Sequence, residues 1–414
     1  MKHTVSIFFT IILATFVLTS CTTSNSKSDL FNIQTSTPTP ETSLDNDHNG
    51  IHNTLYELNS STTNGIYLSE IYNNNCIITY VDYKSQSQIP LCSNANCAHK
   101  DNSCSAVSLA EQANGNLQIF VLKDKLYFLQ MIANDGQNAK LFSTSLDGTN
   151  PQTICEFGNN VRLTGSVFSD GDCLYTLIEE VDSTLYTTVS SIVKVNLSSH
   201  EWRKIFTFEP NTYPLINTAY NRNLVFDIVT SSNQRICKSI DVDAPFSTTD
   251  IITIDLDNPS NGFFFVEDKL FVVDKDKMLE VKSLENEAVS TYSYDFLYEF
   301  YNIPKDVVPI VCHSFDDWFL MSFILDDDTT LYLNWNPVSN EHELVKLLQD
   351  YNSSPISIYA SSADYLFVKY NSKVKTDGLQ LVDVQPLYAL IEKEDYLQSV
   401  ANYKIIDSFF EMYN

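Results

Sequence analysis

Three cysteines and one histidine lie within thirteen residues of one another, in the stretch CSNANCAHKDNSC that runs from Cys92 to Cys104. Cys92, Cys97, His99 and Cys104 have the spacing C-x4-C-x-H-x4-C, and their side chains are of the types that bind zinc tetrahedrally. The same thiols could instead form a disulfide or stay free, because this spacing matches no established motif. The stretch therefore predicts first a loop pinned by a disulfide, with a zinc site and free thiols as the alternatives. We expect no cofactor other than this candidate zinc ion.

The position of His99 bears on both interpretations. The ligand types resemble those of a zinc knuckle, but a knuckle has two residues between its cysteines and four before its histidine. Only Ala98 separates Cys97 from His99 here, so two ligands this close need an unusual path of the chain. In the disulfide interpretation, Cys97 and Cys104 close an eight-residue loop, or Cys92 pairs with either of them.

The N-terminus has the layout of a secretory signal peptide over residues 1–20. Lys2 and His3 precede an uncharged apolar run from Val5 to Leu18, which is shorter than the roughly 20 residues that a spanning helix needs. The run ends in LTSC, which resembles the lipobox of bacterial lipoproteins. That resemblance implies cleavage before Cys21, a diacylglyceryl group on its thiol, and a lipid-anchored protein on the extracytoplasmic face of the cell membrane.

Residues 21–50 are rich in Ser, Thr, Asn and Pro and carry few apolar residues, so we predict a flexible tether there. Residues 51–414 then form one folded domain.

The formal net charge of −27 disfavours nucleic acid as a partner, because the chain repels phosphates. Extracellular location permits disulfides. Besides Cys21, four cysteines precede residue 105, namely Cys76 and the three in the cluster, and four are scattered: Cys155, Cys173, Cys237 and Cys312. Scattered cysteines such as Cys173 and Cys312 lie in apolar strand-like runs and are predicted to be buried.

A pattern of about 48 residues repeats along the folded domain. Each copy has a turn with Asp or Asn, an apolar anchor and a strand-like run, as in DKLYFL. The anchors are separated by 48, 50, 46, 48 and 47 residues: Leu126, Leu174, Leu224, Leu270, Trp318 and Tyr365. A seventh copy begins near Ile66, 60 residues before Leu126. Helical periodicity is weak and limited to Glu341–Gln349, so the repeat predicts an all-β protein.

Four strands in each repeat of 40 to 50 residues predict a β-propeller of seven four-stranded blades, with six or eight blades as the nearest alternatives. A two-domain β-sandwich and a solenoid are the other architectures compatible with repeated short strands. The extra residues between Ile66 and Leu126 make the cysteine-rich stretch, residues 92–104, an insertion between two repeats. In a propeller we expect such a connection beside the channel mouth.

The repeats resemble those of TolB-like propellers, most clearly in LFSTSLDGTNPQTI. The lipobox, the tether and three short motifs also resemble propeller-like lipoproteins of Gram-positive anaerobes. The motifs are Leu91-Cys92, Cys97-Ala98-His99 and Cys104-Ser105-Ala106. The resemblance covers most of the chain and implies fold and location; it implies no reaction.

The sequence contains no P-loop, G-x-S-x-G or H-E-x-x-H motif, and no set of residues that we assign as catalytic. Trp202 and Trp335 lie outside the repeat anchors and are candidates for exposed ligand contact, whereas Trp318 should be part of the core. We therefore expect a non-enzymatic protein that binds an extracellular ligand or protein partner through one propeller rim. The alternatives are an exported hydrolase or lyase acting on glycans or peptides, and an envelope structural or assembly protein.

Overall fold

The computed structural model describes residues 54–72, 75–94, 96–111, 117–130, 138–158, 160–182, 187–245, 247–256, 262–273, 276–325, 329–350, 353–377 and 380–409. The predicted signal peptide, Cys21 and the predicted tether up to residue 50 lie outside these ranges. Among the described residues, no helix is both long and apolar enough to cross a membrane.

The described strands form seven sheets that follow one another along the chain, and they make a seven-bladed β-propeller. The prediction of seven blades is confirmed. In chain order the strands are β1 (Tyr56–Glu57), β2 (Gly65–Tyr72), β3 (Asn75–Asp82), β4 (Ser87–Pro90), β5 (Leu117–Leu122), β6 (Lys125–Gln130), β7 (Ala139–Ser145), β8 (Gln152–Gly158), β9 (Val161–Ser169), β10 (Cys173–Asp182), β11 (Thr187–Asn196), β12 (Trp202–Thr207), β13 (Leu215–Tyr220), β14 (Asn223–Val229), β15 (Gln234–Asp241), β16 (Thr249–Asp255), β17 (Gly262–Val266), β18 (Lys269–Val273), β19 (Met278–Ser283), β20 (Val289–Ser293), β21 (Ile310–Phe315), β22 (Trp318–Ile324), β23 (Thr330–Trp335), β24 (His342–Leu344), β25 (Ser357–Ser361), β26 (Tyr365–Asp377), β27 (Gln380–Glu392) and β28 (Lys404–Ile405).

Each blade is an antiparallel meander whose strands pair in sequential order. Blade 1 consists of β2–β4, blade 2 of β5–β8, and blade 3 of β9–β12 with β1 added beside β9. Blades 4 to 7 consist of β13–β16, β17–β20, β21–β24 and β25–β28. The predicted anchors begin the second strand of each repeat, where Leu126, Leu174, Leu224 and Leu270 are buried. Trp318 and Tyr365 occupy the same place and are half-buried.

The core is divided among the spaces between adjacent blades. In the described residues, seven apolar clusters occur, and each joins side chains of two neighbouring blades. The last of these spaces joins blade 7 to blade 1, where Ile66 and Val81 pack with Phe367 and Leu390. Burial of apolar faces between blades is therefore what holds the ring together.

Both ends of the described chain depart from the regular repeat. Blade 1 lacks a full first strand, and a bridge between Ser61 and Ile66 takes that place. The preceding residues cross to blade 3, where β1 pairs with β9. At the other end, Asp407 forms a parallel bridge with Ser87 on the free edge of β4. The ring is thus closed by residues that are remote in sequence.

Three short helices interrupt the sheets: α1 (Ser105–Glu111), α2 (Asp295–Tyr301) and α3 (Lys393–Leu397). Each spans two turns or fewer, so none produces a sustained helical period in the sequence. The weak helical candidate at Glu341–Gln349 is wrong, because His342–Leu344 forms β24 and pairs with β23. Pairing of that segment at a sheet edge outweighs its local helical preference.

An ion-pair network links blade 3 to blade 4. Arg222, in the turn before β14, donates from Nη1 to Asp170 Oδ2 at 3.0 Å and from Nε to Asp243 Oδ2 at 2.7 Å. Asp170 is the more buried carboxylate, with its side chain 11% exposed. Replacing Arg222 with methionine should lower the free energy of unfolding by about 2 kcal/mol, because a mostly buried carboxylate loses its charged donor. Urea unfolding of the purified variant measures this change.

The matched control for Arg222→Met is Lys123→Met. Lys123 pairs with Asp172 at 3.5 Å, but both side chains are more than half exposed. Removing this pair should change the free energy of unfolding by less than about 0.5 kcal/mol, because exposed ion pairs contribute little. Equal losses in the two variants would show that burial of Asp170 has no part in the effect.

Candidate metal centre

The cysteine-rich stretch lies between β4 and β5, as the repeat spacing predicts. Its entry is fixed by Leu91, whose N–H donates to the carbonyl of Ile78 at 2.8 Å. Its exit is fixed by α1, where the Ser105 hydroxyl donates to the carbonyl of Leu91 at 3.0 Å. The two ends of the stretch are therefore held side by side against blade 1.

The four candidate ligands converge on one point. The Sγ atoms of Cys92, Cys97 and Cys104 and a ring nitrogen of His99 all lie within 4.8 Å of one another. His99 Nδ1 and Cys104 Sγ are 3.2 Å apart. Sulfur atoms bound tetrahedrally to zinc at about 2.3 Å are about 3.8 Å from each other. The observed separations thus match a tetrahedral site to within a small adjustment.

His99 reaches the cluster through a left-handed backbone conformation. Its φ is +51°, which is uncommon for a residue with a side chain. Its N–H also donates to Cys97 Sγ at 3.4 Å, so the backbone supports one ligand while the side chain supplies another. This is the unusual chain path that a single residue between Cys97 and His99 requires.

Cys104 is positioned by a turn that leads into α1. Its N–H donates to the carbonyl of Asp101 at 3.0 Å, and its own carbonyl accepts from Ser108 N–H at 2.8 Å. The carboxylate of Asp101 holds this turn by accepting from the N–H of Ser103 at 2.9 Å and from its hydroxyl at 2.6 Å. The turn therefore positions the third thiol.

The cluster is buried on one side and open on the other. His99 and Cys104 are buried, whereas Cys92 and Cys97 are half-buried. Cys104 packs in the apolar cluster that joins blades 1 and 2, together with Leu91 and Phe409. The half-buried thiols leave a side from which an ion can enter.

Hydrogen bonding and burial shift the pKa values of the three thiols in different directions. The thiol of Cys104 donates to Cys92, which lowers the pKa of Cys92 and raises that of Cys104. Burial raises the pKa of Cys97. A metal ion at the common point would replace these shared protons, since thiolates and not thiols are the ligands.

The structure bears on the choice between zinc and a disulfide. All eight cysteines among the described residues are free. The four scattered cysteines are distributed over blades 2, 3, 4 and 6: Cys155, Cys173, Cys237 and Cys312. Cys173 is buried as predicted, whereas the expected burial of Cys312 is wrong, because this residue is exposed on β21. Three thiols and an imidazole around one point form a complete zinc ligand set, so no position is left open for a catalytic water.

The insertion follows an edge strand of blade 1. β4 ends the sheet β2–β3–β4, and the stretch continues from it to α1. Cys104 then packs in the apolar cluster that joins blades 1 and 2 and contains Phe409. That the stretch stands beside the channel mouth stays a prediction.

Both tryptophans proposed for ligand contact pack against other residues of the propeller. Trp335 is fully buried in the cluster between blades 5 and 6, so the expectation that it is exposed is wrong. Its place at the end of a central strand buries it. Trp202 is half-buried, lies 5.3 Å from the ring of Phe157 and donates from Nε1 to the carbonyl of Glu156 at 2.9 Å. It joins the outer parts of blades 2 and 3.

Two residues of interest were missed by the sequence analysis. Phe409 packs edge-on against His99, and no spacing pattern connects residues 310 positions apart. Glu70 is buried on β2, where burial raises its pKa to about 7. Glu70 did leave a signal, because strand alternation in GIYLSEIY places it on the same face as Ile66 and Leu68.

Gly148, in the turn between β7 and β8, leaves room for Leu91, the residue before the candidate ligand Cys92. Gly148 has a φ of +79°, and a Cβ added there would lie 2.8 Å from Cγ of Leu91, the residue before Cys92. Gly148→Ala is expected to lower the free energy of unfolding by about 2 kcal/mol, because both the backbone and the contact become strained. Urea unfolding measures the loss. Gly262→Ala is the control, since a Cβ there meets nothing within 4 Å, and a similar loss in it would rule out the explanation.

No family model matches the sequence, and no curated protein is significantly similar to it. Similar solved structures include an oligogalacturonate lyase in complex with manganese, with 11% identity, a TM-score of 0.45, and coverage of 70% of this chain and 78% of that one. TolB from Acinetobacter baumannii has 10% identity and a TM-score of 0.35 over 82% and 77% of the chains. A puromycin hydrolase has 9% identity and a TM-score of 0.49 over 86% and 53%. Likeness at this level transfers no activity to this chain.

Proposed function

We propose that this protein is a lipid-anchored, extracytoplasmic propeller that holds one structural zinc ion and binds an extracellular ligand or protein partner. The observation that carries the zinc assignment is the convergence of Cys92, Cys97, His99 and Cys104 within 4.8 Å. Three soft thiolates with one imidazole favour zinc over magnesium or calcium, which prefer oxygen. The ion would hold the insertion against blades 1 and 2.

A structural role for the ion follows from the ligand count. Catalytic zinc sites keep one position for water or substrate, whereas this chain supplies four ligands. His99 and Cys104 are also buried, so a substrate could not reach the ion from their side. This supports a binding protein rather than a zinc enzyme.

Zinc analysis tests the assignment. The chain, produced with Cys21→Ser so that it carries no lipid, should contain one zinc per molecule by elemental analysis. Cys92, Cys97 and Cys104 should react with an alkylating reagent only after chelation. A disulfide mapped between any two of these cysteines, with no metal bound, would contradict the zinc site and support the loop pinned by a disulfide.

The anchor is a separate part of the proposal and rests on the lipobox at Cys21. The wild-type chain should remain with the membrane fraction and incorporate labelled palmitate, because two or more acyl chains are needed for stable anchoring. Cys21→Ala should lose the label. Palmitate retained in that variant would place the lipid elsewhere.

The binding role can be separated from catalysis by a ligand screen. Glycans and peptides are added to the zinc-loaded chain, and both thermal stabilisation and product formation are measured. Stabilisation without turnover supports a binding protein, because a ligand that binds only the folded state raises its stability. Turnover would instead support the exported hydrolase or lyase.

A further inference from the structure

Residues Lys404–Phe409 form a strap that leaves blade 7 and reaches the proposed metal centre. The strap begins as β28, which pairs with β27. The N–H of Ile406 then donates to the carbonyl of Tyr388 at 3.0 Å. Up to this point the strap is the outer strand of blade 7.

The strap next crosses to blade 1. The N–H of Asp407 donates to the carbonyl of Gln86 at 2.7 Å, and its carbonyl accepts from the N–H of Gln88 at 2.9 Å. The side chain of Ser408 donates to Gln88 Oε1 at 3.4 Å in a buried setting. These bonds connect the two ends of the ring directly.

At Phe409 the strap packs on His99, one of the proposed zinc ligands. Phe409 is 1% exposed and belongs to the apolar cluster that contains Cys104 and Leu91. Its ring lies 5.5 Å from the His99 ring at an interplanar angle of 80°, an edge-to-face contact. The surface on which Phe409 packs is therefore formed partly by two of the proposed ligands, His99 and Cys104.

We propose that the zinc centre fastens the closure of the propeller, with zinc occupancy holding the strap across blades 7 and 1. This inference rests on the proposed zinc site. In the described residues, no strand or helix lies between Cys92 and Cys104. Outside the Asp101 turn, the loop therefore depends on its ligand contacts for its shape. Loss of the ion then frees His99 and loosens the surface on which Phe409 packs.

Thermodynamic linkage makes the coupling reciprocal. If zinc stabilises the docked strap by some factor, the docked strap must tighten zinc binding by the same factor. Phe409→Ala should therefore weaken zinc binding while leaving all four ligands in place. A Kd about tenfold higher is the expected size for one aromatic contact in a buried setting.

Hydrogen exchange of the full chain, with zinc and after chelation, tests the fastening. The amides of Ile406, Asp407 and Gln88 should exchange about tenfold faster once zinc is removed, because local opening becomes easier. The amide of Val242, which bonds to the carbonyl of Arg222 in blade 4, is the remote reference and should not change.

Two variants complete the test. Phe409→Ala should bind one zinc at saturating concentration yet show fast exchange at Ile406 and Asp407 even when loaded. Tyr403→Ala is the matched control, because Tyr403 stacks on Tyr370 at 4.9 Å and lies outside the metal centre. Its zinc affinity should equal that of the wild type.

The outcomes separate the two proposals. If one zinc binds but chelation leaves the exchange of Ile406 and Asp407 unchanged, the fastening is wrong and the zinc site stands. If no zinc binds to the wild-type chain, both proposals are wrong. Wild-type zinc affinity and slow strap exchange in Phe409→Ala would also overturn the fastening.

Discussion

Cys104→Ser is expected to abolish stoichiometric zinc binding and, with it, the zinc-dependent part of the stability. At a zinc concentration a thousandfold above Kd, that part amounts to about 4 kcal/mol. Cys104 is the most buried of the four proposed ligands and is held by the Asp101 turn, so no neighbouring side chain can take its place without rearrangement. Urea unfolding with and without a chelator, alongside elemental analysis, measures the difference.

Cys155→Ser is the matched control for this experiment. Cys155 is also buried, on β8 of blade 2, but lies outside the ligand set. It should lose stability from the buried hydroxyl while keeping one zinc and the full response to chelation. If Cys104→Ser and the wild type respond equally to chelation, Cys104 is no ligand.

The repeat could be predicted from the sequence because its anchor residues pack between the blades. Leu126, Leu174, Leu224 and Leu270 each start a second strand and face the space between blades, so burial imposes their spacing. The extra residues before Leu126 likewise located the insertion. Periodic burial leaves a periodic signal, and the number of blades follows from it.

The candidate metal centre could be predicted only in part. The residue types and the spacing identified all four candidate ligands, but zinc and a disulfide use the same cysteines. The structure adds the point on which the side chains converge, and that point depends on the left-handed backbone of His99 and on the turn at Asp101. Neither feature has a marker in the residue types alone.

Contacts between remote segments account for the remaining differences. Trp335 was expected to be exposed because it lies outside the anchors, yet it ends β23 and packs against Tyr294 at a centroid distance of 6.0 Å. Tyr294 precedes α2, a helix too short to be seen in the sequence. The burial of Trp335 is thus set by an element that the repeat does not contain.

Glu70→Gln is expected to stabilise the protein by about 3 kcal/mol above pH 7 and by almost nothing below pH 4. Glu70 is 8% exposed, lies at the junction of blades 1 and 7, and accepts a hydrogen bond from the Tyr388 hydroxyl at 2.7 Å. Burial raises its pKa from 4.5 to about 7, and the Tyr388 hydroxyl and the Lys369 charge offset part of that rise. The amide of glutamine keeps an acceptor for Tyr388 without a charge to bury.

The pH dependence follows from the direction of this shift. Below about pH 4.5, Glu70 is protonated in both the folded and the unfolded chain, so it does not alter stability. Between pH 4.5 and about 7 the unfolded chain loses the proton and the folded chain keeps it, so stability falls as pH rises. Above about pH 7 both states are ionised and the loss is complete.

The measurement is the free energy of urea unfolding from pH 4 to pH 8 for the wild type, Glu70→Gln and Glu285→Gln. Glu285 is exposed in the turn after β19, so its variant should follow the wild-type curve. The difference between Glu70→Gln and the wild type should grow with pH and level off near pH 7. A difference that is constant with pH would mean that the pKa of Glu70 is the same in the folded and the unfolded chain. The Tyr388 hydroxyl and the Lys369 charge would then offset the burial of this carboxylate at the junction of the first and last blades completely.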